Sequence, residues 1–314
     1  MSVLDTIGGS GWRSTARDRW EEVTAPCEER GCTLARRLWR RLRWWNTPIR
    51  FHDRRCCAPQ CFEKMVRQRF GQPLTMASPV DTVRHRIPLG LLMLSRGQLT
   101  NQQLQSALDA QQSSGNRRLG EWLEKLGFAT EQQVTAALGL QWACPVLVHG
   151  ERRDAGCAGI LPYRLLETFR MVPLLFVEAT RTFYLAFSDG IDYPVLYALE
   201  QMLNCRTEAC LVSRTTMDAA LEEIGSQPRP GDLLFEGWRD AAEMARITCS
   251  YVVSLGVEQV RSVRCGPFLW VRLQAGRDVA HLLFRNPAAS QDPRASSTGP
   301  DRQHGVEAAD WARR

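Results

Sequence analysis

Apolar residues recur at helical spacing in two neighbouring stretches of the chain, 88–111 and 118–141. In the second stretch Val134 and Leu138 lie four positions apart, as on one stripe of an amphipathic helix, and a shorter apolar group precedes them. Between these groups, Gly127 suits a helix C-terminus, and Thr130 with Gln133 forms a capping-box pattern. The pattern therefore predicts a short helix and a longer helix in each stretch.

The two stretches are copies of one pattern and predict a helical tandem-repeat subdomain over 83–145. Eight landmarks recur 30 positions apart, which chance alignment does not maintain. The pairs are Leu89/Leu119, Gly90/Gly120, Met93/Leu123, Gly97/Gly127, Thr100/Thr130, Leu104/Val134, Leu108/Leu138 and Gln111/Gln141.

The region that follows, 146–225, has the pattern of a small mixed α/β subdomain. Alternating and β-branched stretches predict strands, and longer periodic stretches predict helices. The predicted elements are a hairpin of strands 171–178 and 182–188, a helix 193–203, a strand 208–213 and a helix 215–224.

A breaker rich in proline precedes the last ordered segment, 232–285, which we predict to be a small α+β unit. It contains a predicted long helix, 235–255, and a meander of three short strands. The tail 286–314 is rich in Ser, Pro, Asp, Arg and Ala and is predicted to be disordered. The fold class predicted for the chain is α+β.

Charge is concentrated at the N-terminal end. The chain of 314 residues carries a net charge of +6, and 15 basic and 7 acidic residues lie between positions 12 and 70. No apolar run reaches the roughly 20 residues of a membrane span, and the first residues have no apolar core of a secretory signal. We therefore expect a cytoplasmic protein, in which the eleven cysteines are thiols or metal ligands.

Segment 1–75 holds five of these cysteines and is a candidate zinc module. Cys27 and Cys32 form one pair and Cys57 and Cys61 form another, and four thiolates make a closed tetrahedral zinc site. Cys56 and His52 are alternative ligands. The other interpretation is a set of ordinary thiols in a poorly ordered arm.

Arginine and tryptophan alternate over 36–45 in the same segment. Such a stretch can contact nucleic acid, anionic lipid or an acidic protein. It can equally be a solvated, basic amphipathic stretch without a partner.

Within the repeat, several polar landmarks are not needed by the helices. Arg118 precedes a helix that begins with Leu119 and Gly120, while Gln111 and Gln141 end the apolar stripes. A guanidinium can stack on a base and a glutamine amide can bond its edge, so these residues suggest a nucleotide site. The alternative is a packed helical bundle in which these polar residues are exposed.

The repeated motif resembles the N-terminal domain of the type II secretion and type IV pilus assembly ATPases. Its pattern is two tandem copies of R-L-G-x-x-L-x-x-x-G-x6-L-x-x-x-L-x-x-Q. The second copy matches throughout, allowing Val134 for leucine, whereas the first has Pro88 in the arginine position and Met93 for leucine. Arg86, two residues upstream of Pro88, is the candidate replacement. The resemblance extends through the α/β subdomain to residue 225.

The resemblance implies a site for cyclic di-GMP, in which arginines and glutamines hold the guanines against leucines. Asp189 stands where the family can carry an acidic contact. Carried over by position, the ligand-binding residues are Arg86, Leu89, Gly90, Leu104, Leu108, Gln111, Arg118, Leu119, Gly120, Val134, Leu138, Gln141 and Asp189.

No catalytic motif accompanies this domain. The sequence has no Gly-Lys dipeptide and therefore no G-x4-G-K-[ST] loop for ATP and Mg²⁺, and its five histidines are scattered. We expect a non-enzymatic regulatory protein that binds cyclic di-GMP and signals to a partner. The alternatives are a ligand-free adaptor of a secretion or pilus system, and a zinc-dependent nucleic-acid binder acting through its basic N-terminal segment.

Overall fold

A computed structural model describes residues 27–32, 49–72, 86–114, 118–147, 154–237 and 239–286. The fold is α+β, as predicted. Over the described residues the helices are α1 Pro59–Gly71, α2 Leu89–Ser95, α3 Asn101–Ser114, α4 Leu119–Lys125, α5 Glu131–Trp142, α6 Tyr163–Phe169, α7 Tyr193–Leu203, α8 Arg214–Gly225 and α9 Ala241–Ser254. The strands are β1 Ile49–Phe51, β2 Arg54–Cys56, β3 Met171–Val177, β4 Thr182–Phe187, β5 Arg206–Leu211, β6 Asp232–Phe235, β7 Gln259–Cys265, β8 Phe268–Ala275 and β9 Asp278–Arg285.

The repeat forms two helix pairs, α2–α3 and α4–α5, with a small core of their own. Helix α2 packs on α5 and α4 packs on α3, so each short helix contacts the long helix of the other copy. Apolar side chains that the repeat places on the inner stripes fill this core, among them the fully buried Met93 and Leu123.

The α/β subdomain has a three-stranded sheet in the order β3-β4-β5. Strands β3 and β4 form the predicted antiparallel hairpin, and β5 runs parallel to β4 after the crossover helix α7. Just after α5, Val146 bridges to Leu211 at the end of β5, so the repeat leads directly into this sheet.

A second, six-stranded sheet joins the two ends of the chain in the order β2-β1-β7-β8-β9-β6. Strands β7, β8 and β9 form the predicted antiparallel meander, and β1 pairs in parallel with β7. Segments 1–75 and 232–285, which we treated separately in the sequence, thus contribute described residues to one sheet.

This sheet is the middle layer of three. Residues alternate along β8, so Trp270 faces the core of the α/β subdomain while Leu269 and Val271 face α1 and α9. Strand β9 alternates in the same way, with Leu283 on the first side and Leu282 on the second. Because both faces are covered there, β8 is continuously apolar over residues 268–271 and β9 over residues 282–284.

The predicted helix 235–255 differs from the structure. Residues Asp232–Phe235 form β6 instead, Gly237 adopts a positive φ of 88°, and the helix begins only after Asp240. The side chain of Asp240 accepts a hydrogen bond from the backbone N–H of Glu243, which fixes this start.

The predicted disordered tail, from residue 287 onward, and the arginine–tryptophan stretch 36–45 lie outside the described residues. Within the part of the chain that the structure covers, no helix combines the length and apolar character needed to cross a membrane.

Candidate functional site

The turn between the helices of each repeat copy has the predicted caps. In the second copy the backbone N–H of Gln133 bonds Thr130 Oγ1, and the Gln133 side chain accepts from the N–H of Thr130. Thr100 and Gln103 make the same pair of bonds in the first copy. Gly97 and Gly127 precede these caps with φ values of 69° and 68°, a backbone region that favours glycine.

The two glycines at the helix starts allow the motif turns to pack closely. A Cβ atom on Gly90 would lie 2.5 Å from Leu104 Cδ1, and one on Gly120 would lie 2.8 Å from Val134 Cγ1. Packing therefore accounts for the glycine most clearly at position 120, where the neighbour is the stiff Val134, whereas at position 90 it is the flexible end of Leu104. That a ligand contacts these two glycines stays a prediction.

The motif turns of the two copies also meet each other. Leu119 Cδ2 lies 3.1 Å from the Cβ position of Gly90, and Leu89 Cδ2 lies 3.7 Å from that of Gly120. Six predicted site residues are thereby brought to one place, namely Leu89, Gly90, Leu104, Leu119, Gly120 and Val134. Leu108 and Gln111 on α3 and Leu138 on α5 are half-buried farther along the same long helices.

Arg118 begins α4 and crosses to the α/β subdomain. Its Nη1 donates a hydrogen bond of 2.8 Å to the carbonyl oxygen of Asp189 and lies 3.6 Å from Asp189 Oδ2. The Arg118 side chain is 56% exposed, so its guanidinium is held in position while remaining accessible. Both residues were predicted for the site, and the structure places them in contact.

Arg86 occupies a different position relative to its helix. Its guanidinium lies over the ring of Trp142, with Cζ 3.4 Å from the ring centroid, and Tyr193 is 5.8 Å away. Gln141, beside Trp142 on α5, donates 2.7 Å to the carbonyl oxygen of Ile87. The first copy therefore also has a cation near its helix start. This cation is held by the Trp142 ring and does not come from the N-cap residue, which is Pro88.

Trp142 links the two cations. A Cβ on Gly190 would lie 2.5 Å from Trp142 Cζ2, and Gly190 directly follows the Asp189 that binds Arg118. Arg118 thus contacts Asp189, and Arg86 stacks on the Trp142 side chain that packs against the next residue, Gly190. Sequence reasoning missed Trp142, although its place directly after the Gln141 landmark was a usable signal.

Arg214 and Glu131, also missed, fasten the repeat to the α/β subdomain. Arg214 Nη2 lies 3.4 Å from Glu121 Oε1 on α4 and 3.5 Å from Asp189 Oδ1. Glu131 accepts hydrogen bonds from both the backbone N–H and the hydroxyl of Thr215. Burial raises the pKa of the nearby Glu124. These contacts surround the predicted site with fixed charges of both signs.

The four predicted metal-binding cysteines form a second cluster. The Sγ atoms of Cys27, Cys32, Cys57 and Cys61 all lie within 4.8 Å of one another. Cys57 Sγ is 3.5 Å from Cys32 Sγ and 3.8 Å from Cys61 Sγ, distances far longer than a disulfide bond. The backbone N–H of Cys57 points to Cys27 Sγ at 3.5 Å. The arrangement can hold a metal ion.

The alternative ligands are placed elsewhere. Cys56 is fully buried and donates to Met65 Sδ, and His52 Nε2 lies 3.2 Å from Ser262 Oγ. Burial and the nearby Arg69 lower the pKa of His52 to about 4. Burial, together with hydrogen bonds that the thiol makes to Cys32 and Cys27, raises the pKa of the Cys57 thiol to about 12. Burial also raises the pKa of Cys61.

Several solved structures are similar to about two fifths of this chain. A structure of MshE with cyclic di-GMP is 27% identical and covers 44% of this chain and 99% of that chain, with a TM-score of 0.39. Two crystal forms of the N-terminal domain of XpsE are 19% and 20% identical, cover 43% and 41% of this chain and 91% and 89% of those chains, and have TM-scores of 0.33 and 0.27.

The chain resembles the N-terminal domain of the secretion ATPases, as the repeated motif indicates. Because all three TM-scores are below 0.5, we draw no functional conclusion from these similarities. Neither a comparison with protein-family models nor one with curated proteins gives a match.

Proposed function

We propose that this chain is a non-catalytic, cytoplasmic regulatory protein that binds cyclic di-GMP and passes the signal to a partner protein. The observation that carries the proposal is the meeting of the two motif turns, with Arg118 at one helix start and Arg86 near the other. Neither ATP nor Mg²⁺ is part of the proposal, since the sequence offers no phosphate loop.

The chemistry of the surface suits a dinucleotide with two guanines. An arginine can donate two hydrogen bonds to guanine O6 and N7, and Arg118 is both accessible and anchored. The Asp189 carboxylate can accept from the guanine N1–H and amino group. Leu89 and Leu119, half-buried at the meeting of the turns, supply an apolar surface for a base.

Arg86 offers a second arginine for a guanine, near the helix start of the first repeat copy. Its guanidinium is stacked on Trp142, so a flat cation is presented beside Gln141. A planar guanidinium can stack on a nucleobase. We therefore assign Arg86 to the role that the arginine of the motif would have at position 88.

Calorimetric titration of the full chain with cyclic di-GMP tests the proposal. Arg118→Ala should weaken binding at least tenfold, because one hydrogen bond to a charged group contributes about 1.5–3 kcal/mol. Arg86→Ala should also weaken binding. Arg164→Ala is the matched control, since Arg164 is 55% exposed and paired with Glu167 away from the site.

Cyclic di-AMP and GMP serve as ligand controls. Binding of cyclic di-GMP that is stronger than that of either control supports recognition of two guanines. Absence of heat at tens of micromolar protein, or equal affinity in the wild type and Arg118→Ala, would refute the nucleotide site.

A second function, a docking adaptor without a small ligand, is favoured by one observation. Three apolar side chains are exposed: Ile87 just before α2 by 60%, Leu91 on α2 by 52% and Leu140 on α5 by 48%. Exposed apolar side chains near one another mark protein contact sites. The adaptor predicts that a secretion or pilus component co-purifies with the chain, that cyclic di-GMP does not change this, and that Leu91→Ser abolishes it.

The third hypothesis, a zinc-dependent nucleic-acid binder, depends on the arginine–tryptophan stretch 36–45. That stretch lies outside the described residues, so the hypothesis stays a prediction from the sequence. A gel-shift titration at several salt concentrations tests it, since binding through phosphates weakens steeply with salt.

A further inference from the structure

The four-cysteine cluster joins three separate pieces of chain. Cys27 and Cys32 flank a tight turn in which Gly31 has a positive φ of 95°. Cys57 follows strand β2, and Cys61 lies in the first turn of α1. The turn is tied to β2 by the backbone bond from Glu28 N–H to Arg55 O.

The spacing of the sulfur atoms matches one tetrahedral ion. Four sulfurs at about 2.3 Å from a central Zn²⁺ are roughly 3.8 Å from one another. Three of the six sulfur pairs, Cys32–Cys57, Cys32–Cys61 and Cys57–Cys61, are 3.5, 3.6 and 3.8 Å apart. A tetrahedral set of four sulfurs selects zinc or iron over magnesium or calcium.

The cluster lies at the edge of the core shared by the two ends of the chain. Cys61, Phe62 and Val66 of α1 are buried with Met244 and Ala245 of α9. Cys27 and Cys32 are partly buried against the same core. A metal ion here therefore fixes the elements that cover one face of the six-stranded sheet.

The two strands next to the cysteine cluster, β1 and β2, have little stability of their own. Strands β1 and β2 have three residues each, and a two-stranded hairpin of this size is marginal in water. Strand β1 is held on β7 by two backbone bonds, Arg50 N–H to Glu258 O at 2.8 Å and His52 N–H to Val260 O at 2.7 Å. Metal binding contributes folding free energy to such segments because the site forms only in the folded state.

We propose that Cys27, Cys32, Cys57 and Cys61 bind one Zn²⁺ in a closed structural site, and that this ion fastens residues 27–32 and 49–71 to the sheet of the C-terminal segment. The site does not belong to a zinc module that folds separately, since its surrounding core includes α9 and β7. This zinc staple is independent of the proposed nucleotide site.

Metal analysis of the full chain, purified without chelator, tests the ion. The wild type and Cys205→Ser should each contain one zinc per chain, whereas Cys57→Ser should contain less than half of this. Cys205 is a half-buried cysteine between α7 and β5 and serves as the matched control. Wild-type protein loaded with Co²⁺ should also show the visible d–d and thiolate charge-transfer bands of a tetrahedral sulfur site.

Hydrogen exchange of the full chain tests the staple. Removing zinc with a chelator should speed exchange of the Arg50 and His52 amides at least tenfold and leave the β4–β5 ladder unchanged. Wild-type chain without zinc or cobalt bands, or with iron instead, overturns the zinc assignment. If exchange at Arg50 and His52 is unchanged after zinc loss, the proposed role of zinc in holding these residues on the sheet is refuted, whereas the zinc site itself is not.

Discussion

The carboxylate of Glu131 bonds the start of another helix, accepting 2.7 Å from the backbone N–H of Thr215 and 2.8 Å from its hydroxyl. Glu131 begins α5 of the repeat and Thr215 lies in the first turn of α8 in the α/β subdomain. One side chain thus satisfies a backbone donor that the end of a helix leaves unpaired. This contact joins the subdomain that carries the motif to the one that carries Asp189.

We expect Glu131→Ala to destabilise the fold by about 1.5 kcal/mol, the lower end of the range for bonds to a charged group, because Thr215 is exposed. Urea unfolding measures the change in free energy. Glu222→Ala, an exposed substitution on α8, is the control and should stay within about 0.5 kcal/mol of the wild type. Equal losses in the two variants would contradict the contact.

Gly120→Ala separates packing from ligand approach as the reason for the glycine. The new Cβ meets Val134, a stiff β-branched residue, and overpacking costs about 1–3 kcal/mol. Alanine returns about 0.5–1 kcal/mol through helix propensity, so a net loss of about 1 kcal/mol, and no more than about 2.5 kcal/mol, is expected.

The double variant Gly120→Ala/Val134→Ala checks the cause of that loss. If packing is responsible, the added cost of Gly120→Ala should disappear in the Val134→Ala background. A variant with unchanged thermal stability but lost nucleotide binding would instead restore the ligand explanation.

His281 should make the fold sensitive to mild acid. Its Nδ1 accepts a hydrogen bond from Trp270 Nε1, and burial, followed by the nearby Arg272, lowers its pKa to about 3. The folded state therefore resists protonation that the unfolded state accepts below about pH 6.5. The stability contributed by neutral His281 is complete above pH 6.5 and is lost as pH falls towards 3.

The expected loss between pH 7 and pH 5 from this histidine is about 2 kcal/mol. Urea unfolding at both pH values, in the wild type and in His281→Gln, measures it by difference. Glutamine keeps an acceptor for Trp270 but does not titrate. If the variant loses as much stability between these pH values as the wild type, His281 is not the cause.

Local signals made the repeat and the hairpin predictable. The Thr130–Gln133 capping box and Gly127 lie within a few residues of the helices they delimit, and the structure has them in place. The same holds for β3 and β4, whose apolar runs are separated only by a short polar turn. Helix α9 was misplaced at its start because Gly237 and the Asp240–Glu243 cap were read as part of a continuous apolar pattern.

Long-range contacts were not predictable from such signals. Strand β1 has three residues, too few for a periodicity, and its partner β7 is more than two hundred positions away. The stacking of Arg86 on Trp142 depends on how α2 packs against α5, which no local pattern specifies. The cysteine set was accessible because ligand type and pairing are visible in the sequence, although its shared core was not.

The pairing of β1 with β7 has a consequence for synthesis. Everything between them, including the repeat and the α/β subdomain, is translated before β7 exists. At about 5–20 residues per second, β1 waits roughly 10–40 seconds for its partner. For most of that interval the apolar face of α1, with Phe62 and Val66, has no α9 to cover it. Newly made α1 therefore carries uncovered apolar surface, which favours misassociation, until α9 has been translated.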